Sequence, residues 1–216
     1  MEKLVSIDNT MKNNNFFIKT ATAFAALLVL SSCYLPQRFD AEIEVDAAGY
    51  YSMIFDGYIA DVGLYQSLQS GDLNEEQEAE KVAILEGDLS RDSSVQSLEY
   101  FKLGHFRIKW ERKGDLIKSK TVTFLRRNES MLSLKYVSDA GLIEMMGRSI
   151  RQSDREKIAQ MGLGMQGEIR LKTPLLVVDH NATEVKQDKN DETSQWYIWR
   201  IANIFQSTPR ILLKIE

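Results

Sequence analysis

The sequence predicts an α+β domain: an antiparallel sheet, made of a strand meander plus N- and C-terminal strands, carrying two helical inserts. Three observations predict it. Apolar and polar residues alternate with period two in "AEIEV", "HFRIKW" and "LSLKY", the pattern of strands with one buried face. Two other stretches carry helix-start signals followed by apolar residues at helical spacing. Strands lie at both ends of the chain with the helical stretches between them, which places the layers in one α+β domain.

Taken in order, "DAEIEVDAAGYYSMIFDGYIA" forms a hairpin. Ala41, Ile43 and Val45 alternate with Glu42, Glu44 and Asp46, and Ala48-Gly49 makes the turn. Asn74 then caps a helix whose first turn holds Glu75, Glu76 and Glu78, favourable against the helix dipole. Ala79, Val82, Leu85 and Leu89 form its apolar stripe, and Gly87 marks an end or a bend. From Val95 to Val137 the period is two, with Lys113-Gly114-Asp115 as turn chemistry.

The second helical insert has Asp139 as cap of "AGLIEMMGRSI", and Ser153 with Glu156 as a capping box leading Ile158 and Met161 into Gly162. Strands around "GEIRLKTPLLVVDH", "SQWYIWRI" and "PRILLKIE" close the chain. Ala182 to Thr193 is a polar loop between the first two.

The N-terminus reads differently. Ala21 to Leu30, "ATAFAALLVL", is too short to span a bilayer as a helix, which takes about 20 apolar residues. It fits the apolar region of a secretory signal, about 7–15 residues long, with Lys12 and Lys19 as the positive flank. Leu30, Ser31, Ser32 and Cys33 follow, and Cys33 is the only cysteine of the 216 residues. This segment resembles the lipobox of bacterial lipoproteins. The resemblance implies cleavage before Cys33, palmitate-type acyl chains on its thiol and new amine, and a membrane partner reached through those chains. Tyr34, not aspartate, follows the thiol, which implies the periplasmic face of the outer membrane in a Gram-negative cell.

The expected organisation is a signal peptide at 1–32, a lipidated tether at 33–39 and one domain at 40–216. A start at Met11 gives the cleaner signal, because Glu2 and Asp8 lie upstream of it. The tether after Cys33 reaches roughly 20 Å at most, so the domain works close to the bilayer.

Without residues 1–32 the chain keeps 184 residues, with 24 basic against 29 acidic side chains. That acidic balance argues against nucleic acid as a partner. Once Cys33 is acylated no thiol is left, so stability rests on packing. No phosphate loop, nucleophile elbow or zinc-protease motif occurs, and no cofactor is implied. His105 and His180 sit at strand junctions, where turn capping is the expected role.

The C-terminal plan of "GEIRLKTPLLVVDHNATEV…SQWYIWRI" has a strand, a break at Thr173-Pro174, a second strand into an Asn turn, and a polar loop into a Trp-bearing strand. With "AEIEVDAAGYYSMIF" behind a lipobox, this resembles the LppM-like domain of envelope lipoproteins. The resemblance implies an α+β fold similar to lipid-binding proteins and no active site. Leu175 and Ala182 stand where that family carries glycines.

One apolar cluster remains: Leu142, Met145, Met146, Ile150 and Met161. Methionine adapts to irregular apolar partners. The cluster is a helical insert packed on the sheet, a lining for acyl chains, or a docking patch for an envelope protein. The leading expectation is a non-enzymatic, lipid-anchored envelope protein that binds a lipid or other amphiphile in an apolar recess. The alternative is a structural or assembly subunit of an envelope complex.

Overall fold

The computed structural model describes residues 34–125 and 131–215. Leu30, Ser31, Ser32 and Cys33, with the whole expected leader, lie outside the described residues. The fold is α+β, dominated by two sheets that face each other.

Sheet A contains β1 (Tyr34–Val45), β2 (Tyr50–Asp61), β3 (Val95–Lys102), β4 (His105–Asp115), β8 (Gln166–Thr173), β10 (Glu184–Gln187) and β11 (Gln195–Ile201), in the order β10-β11-β8-β1-β2-β4-β3. Sheet B contains β5 (Thr121–Phe124), β6 (Leu132–Val137), β7 (Leu142–Gly147), β9 (Leu176–His180) and β12 (Arg210–Lys214), in the order β5-β6-β7-β12-β9. The helices are α1 (Val62–Gln69), α2 (Glu75–Leu89), α3 (Leu116–Ser119) and α4 (Gln152–Gln160).

The first hairpin forms as its alternation requires. Ala41, Ile43 and Val45 are buried and pair across to Phe55, Met53 and Tyr51. Gly49 takes φ +82 in the turn, a conformation that costs glycine little. Helix α2 starts at Asn74 with reciprocal hydrogen bonds: the Gln77 amide donates to Asn74 Oδ1 at 2.9 Å, and the Asn74 amide donates to Gln77 Oε1 at 3.0 Å. Val82 and Leu89 are buried and Leu85 packs beside them, but Ala79 faces solvent. Gly87 neither ends nor bends this helix, which runs on to Leu89.

The inner faces meet in an aromatic column. Phe39 stacks on Phe55 with centroids 5.4 Å apart, Phe55 on Phe124 at 4.0 Å, and Phe124 meets Trp110 edge-on at 5.5 Å. Phe124 belongs to sheet B and the other three rings to sheet A, so the column joins the sheets. Ile43, Met53 and Ile108 from one side, with Leu134, Ile143, Met145 and Leu213 from the other, complete the core.

Six expectations are corrected. The sheet is not single and not wholly antiparallel: there are two, and β8 runs parallel to β1, pairing Ile43 with Leu171. The tether at 33–39 does not exist from Tyr34 onward. Tyr34, Leu35 and Phe39 are buried, and Tyr34 and Leu35 pair with Asp61 and Ala60. A bulge between Pro36 and Phe39 hides the strand by breaking its alternation. Lys113-Gly114-Asp115 is the end of β4, and the chain turns one step later through α3.

Leu142 to Gly147 is strand, not helix, so the second insert shrinks to α4. Ile143 and Met145 point inward and Met146 outward, the period of a pleat. Ser153 and Glu156 make no capping box, because α4 begins at Gln152 after Arg151 with no side-chain cap. The polar loop at 182–193 also contains β10, which pairs with β11.

The strand assignment separates two adjacent methionines. Met145 is fully buried and Met146 is 43% exposed. Met145→Lys should cost several kcal/mol, as an unpaired charge in the core does. Met146→Lys should stay within about 0.5 kcal/mol of the parent. Thermal melts of the two variants check this; equal losses would contradict the strand.

Candidate functional site

The sheets do not close on each other everywhere. At the end where β1 begins they leave an apolar cavity of about 70 Å³. Tyr34, Phe39, Phe55 and Ile169 line it from sheet A; Phe124 and Leu132 line it from sheet B. Ile150, Arg148, Arg155 and the segment before β12 (Gln206 to Pro209) form the remaining wall.

Each wall has a local cause. Phe39 fits only because its neighbours on both sides are glycines. A Cβ on Gly57 would lie 2.5 Å from Phe39 Cβ, and one on Gly167 would meet the Phe39 carbonyl and ring. These two glycines permit the bulge that turns Phe39 into the cavity. Arg155 is held by main-chain carbonyls: its Nε donates to Ile150 O at 2.8 Å and its Nη1 to Phe205 O at 3.3 Å. Asn181 organises the far strands. Its Nδ2 donates to Thr208 O, while its Oδ1 accepts from Trp199 Nε1 and the Arg210 amide, each at 2.8 Å.

A second apolar cluster covers this end of sheet A. Leu35 and Ala60 pack with Val62, Ile158, Leu163 and Ile204, with Ile150, Met161 and Met165 at its edge. The predicted patch is therefore divided. Ile150 borders the cavity, Met161 packs in the second cluster, Met145 is core, and Leu142 and Met146 lie elsewhere on β7. The cavity residues that sequence reasoning missed are mostly aromatic: Tyr34, Phe39, Phe55 and Phe124. Phe55 and Phe124 were signalled only by the strands they lie in, and Tyr34 and Phe39 not at all, because the bulge breaks the alternation there.

The histidines serve turns. His105 Nδ1 lies 2.9 Å from Leu103 O and 3.2 Å from Lys102 O, and His180 Nδ1 accepts from the Ala182 amide at 3.1 Å. Among the described residues no group of three His, Cys, Asp or Glu side chains gathers to hold a metal ion, and no helix is long and apolar enough to cross a membrane.

No family model matches the chain, and no curated protein matches it. Among solved structures it shows a weak resemblance to the folded domain of Mycobacterium tuberculosis LppM, determined by NMR. Identity is 13% and the TM-score 0.40, over 84% of this chain and 92% of that one.

Asp61 is an ionisable group buried at this end. It caps α1 by accepting from the Leu64 amide at 2.7 Å, and it is 6% exposed. Burial pushes its carboxyl above the usual range, and the amides of Leu64 and Gly63 and the charge of Lys81 only partly oppose that. A folded-state value above the unfolded one means stability is fully present below the unfolded value and lost as pH rises through the folded one. Asp61→Asn keeps the cap without the buried charge. It should match or exceed the parent at neutral pH and lose any advantage in acid. Asp61→Ala should cost about 1 kcal/mol. Denaturant titrations of both across pH check the pair.

Proposed function

We propose that the chain is a non-enzymatic, lipid-anchored protein of the cell envelope that binds an amphiphile by its apolar end. The observation that carries this is the recess between the sheets, with aromatic walls and two arginines at its margin. Pockets that hold whole small molecules run to about 300–1,000 Å³. At about 70 Å³ the recess suits the terminal part of an acyl chain, with the rest of the molecule outside it. Arg148 and Arg155 give a carboxylate or phosphate headgroup a cationic border.

The anchor reading rests on Cys33. Burial of an acyl chain contributes about 0.8 kcal/mol per methylene, and durable attachment takes two chains or a chain and a second signal. Because β1 starts at Tyr34, one residue after the thiol, such an anchor would hold the domain directly against the bilayer. In a Gram-negative cell this is the periplasmic face of the outer membrane.

Chain carrying wild-type sequence, purified in mild detergent and exchanged out of it, should retain extractable lipid and bind a fluorescent fatty acid. Ile150 is half-buried at the cavity wall, so Ile150→Trp fills the recess without entering the aromatic column. It should abolish binding and leave circular dichroism unchanged. Binding unaffected by Ile150→Trp would refute the recess. Membrane fractionation of Cys33→Ser, expected to be lost, tests the anchor separately.

A second reading, an assembly subunit of an envelope complex, has one observation in its favour. Strand β9 lies at an edge of sheet B with Leu176 67% and Val178 55% exposed. Exposed apolar edges are templates for another strand. A protein partner lost with Val178→Lys, with fatty-acid binding intact or absent, would favour this reading.

A further inference from the structure

We propose that the end of sheet A where β1 begins is a bilayer-docking face, with Phe101, Leu103 and Phe205 entering the interfacial layer of a phospholipid membrane. The proposal rests on the reading of Cys33 as the acylated anchor and goes beyond it, assigning contacts of the folded domain itself.

The strand register sets the level of each residue. Leu35 pairs with Ala60, Ala60 with His105, and His105 with Lys102. Adjacent strands lie about 4.8 Å apart, so Lys102 sits roughly 14 Å sideways from Leu35 and level with it. Phe101 and Leu103 flank Lys102 and are 61% and 37% exposed. On the other side of β1, Ile204 packs in the same cluster as Leu35, and its neighbour Phe205 is 47% exposed. Three large apolar side chains are thus bare at the level of the second residue after Cys33.

The β3–β4 turn is built to hold its leucine outward. Leu103 has φ +49, a left-handed conformation that a leucine rarely adopts, followed by Gly104 at φ +71. Turns of this kind favour Asn-Gly or Asp-Gly, and this leucine belongs to neither apolar cluster of the core. The strain is held by hydrogen bonds on every side. The Gly104 amide donates to the Tyr100 hydroxyl at 3.1 Å, the Asp61 amide to Gly104 O at 2.9 Å, and His105 Nδ1 faces Leu103 O at 2.9 Å. Tyr100 in turn donates to Glu78 of α2. A Cβ on Gly104 would lie 2.9 Å from the Tyr65 amide nitrogen, which fixes the turn against α1. A rigid turn displaying an apolar tip in a strained conformation points to a partner outside the fold.

The position of Cys33, directly before β1, identifies that partner. Lys102 stands between the two apolar tip residues, with its Nζ 5.3 Å from the Phe101 ring centroid. Arg155 holds the carbonyl of Phe205, and Arg151 and Lys157 are exposed on α4, whose Ile158 packs in the Leu35 cluster. Acidic groups share this end: Asp154 and Glu156 on α4, Asp61, and Glu78 in the acidic first turn of α2, bonded to Tyr100. Apolar tips interleaved with long cationic side chains fit the headgroup region, where the stems bury and the charges meet phosphate. A protein groove would offer the three tips one continuous surface too, but only a bilayer is brought there by the thiol at position 33.

The test uses the full chain, expressed with its leader and reconstituted in vesicles of phosphatidylethanolamine with a minor share of phosphatidylglycerol. Acylation of Cys33 leaves no free thiol, so Leu103→Cys, Phe205→Cys and Tyr50→Cys each carry a single environment-sensitive fluorophore. Tyr50 is 53% exposed at the opposite end, ten residues along β2 from Ala60 or roughly 33 Å away. Labels at 103 and 205 should show blue-shifted emission and lose quenching by aqueous iodide, while the label at 50 stays in water. Labels at 103 and 205 as quenchable as at 50 on membrane-bound chain overturn the docking face alone. A wild-type chain that itself takes up the label has a free Cys33, and the anchor reading then falls together with the docking face.

Discussion

The contact between Phe55 and Phe124 is the interaction on which the rest of the molecule depends. It stacks a ring from each sheet at 4.0 Å, with Phe39 and Trp110 continuing the column on either side. Aromatic pairs of this kind add about 0.5–1.5 kcal/mol beyond the area they bury. Their larger effect is positional. Trp110 is anchored by its Nε1 donating to Asp92 at 2.9 Å, and Phe39 by the glycines beside it. The column therefore fixes the spacing of the sheets at their centre and leaves them free to part at the end near Tyr34, where the recess lies.

The same constraint explains the placement of β1. It is the middle strand of sheet A, paired antiparallel to β2 and parallel to β8, and its inward residues Ala41, Ile43 and Val45 lie under sheet B. The segment from Tyr34 is thus part of the sheet and not a flexible linker. Outward-facing residues of sheet A carry the solubility: Arg170 pairs with Glu42 at 3.1 Å, and Arg200 reaches both Glu168 and Glu184. Such exposed pairs add little stability individually. They keep that face wet.

Much of the fold was legible where one side of a strand faces water. The β1–β2 hairpin, the Phe106–Trp110 alternation and the Asn74 cap all rest on local patterns that tertiary contacts did not override. Legibility failed at two kinds of place. "LIEMMG" is apolar on both faces apart from Glu144, so its period is ambiguous between helix and strand. The residues joining the sheets gave no signal of crossing over, because Thr173-Pro174 and Asn181 look like ordinary turns although each moves the chain between layers. The candidate site suffered accordingly. Its walls come from β1, β2, β5, β6 and β8, and no local window contains them together.

The recess and the proposed docking end share their supports, and this links the two proposed contacts with lipid. Phe205 O accepts from Arg155, whose other donor holds Ile150 at the cavity wall. Ile204 packs with Leu35, and both also line the recess. A load on the loop at 202–206 from a membrane would thus be felt at the wall of the recess through one arginine and one isoleucine. On the other flank the β3–β4 turn is tied to α1 and α2 through Tyr65, Tyr100 and Glu78, not to the recess. On the docking proposal the two flanks would have different jobs: the turn at Leu103 would set how the domain stands on the surface, and the loop at Phe205 would couple that surface to the cavity.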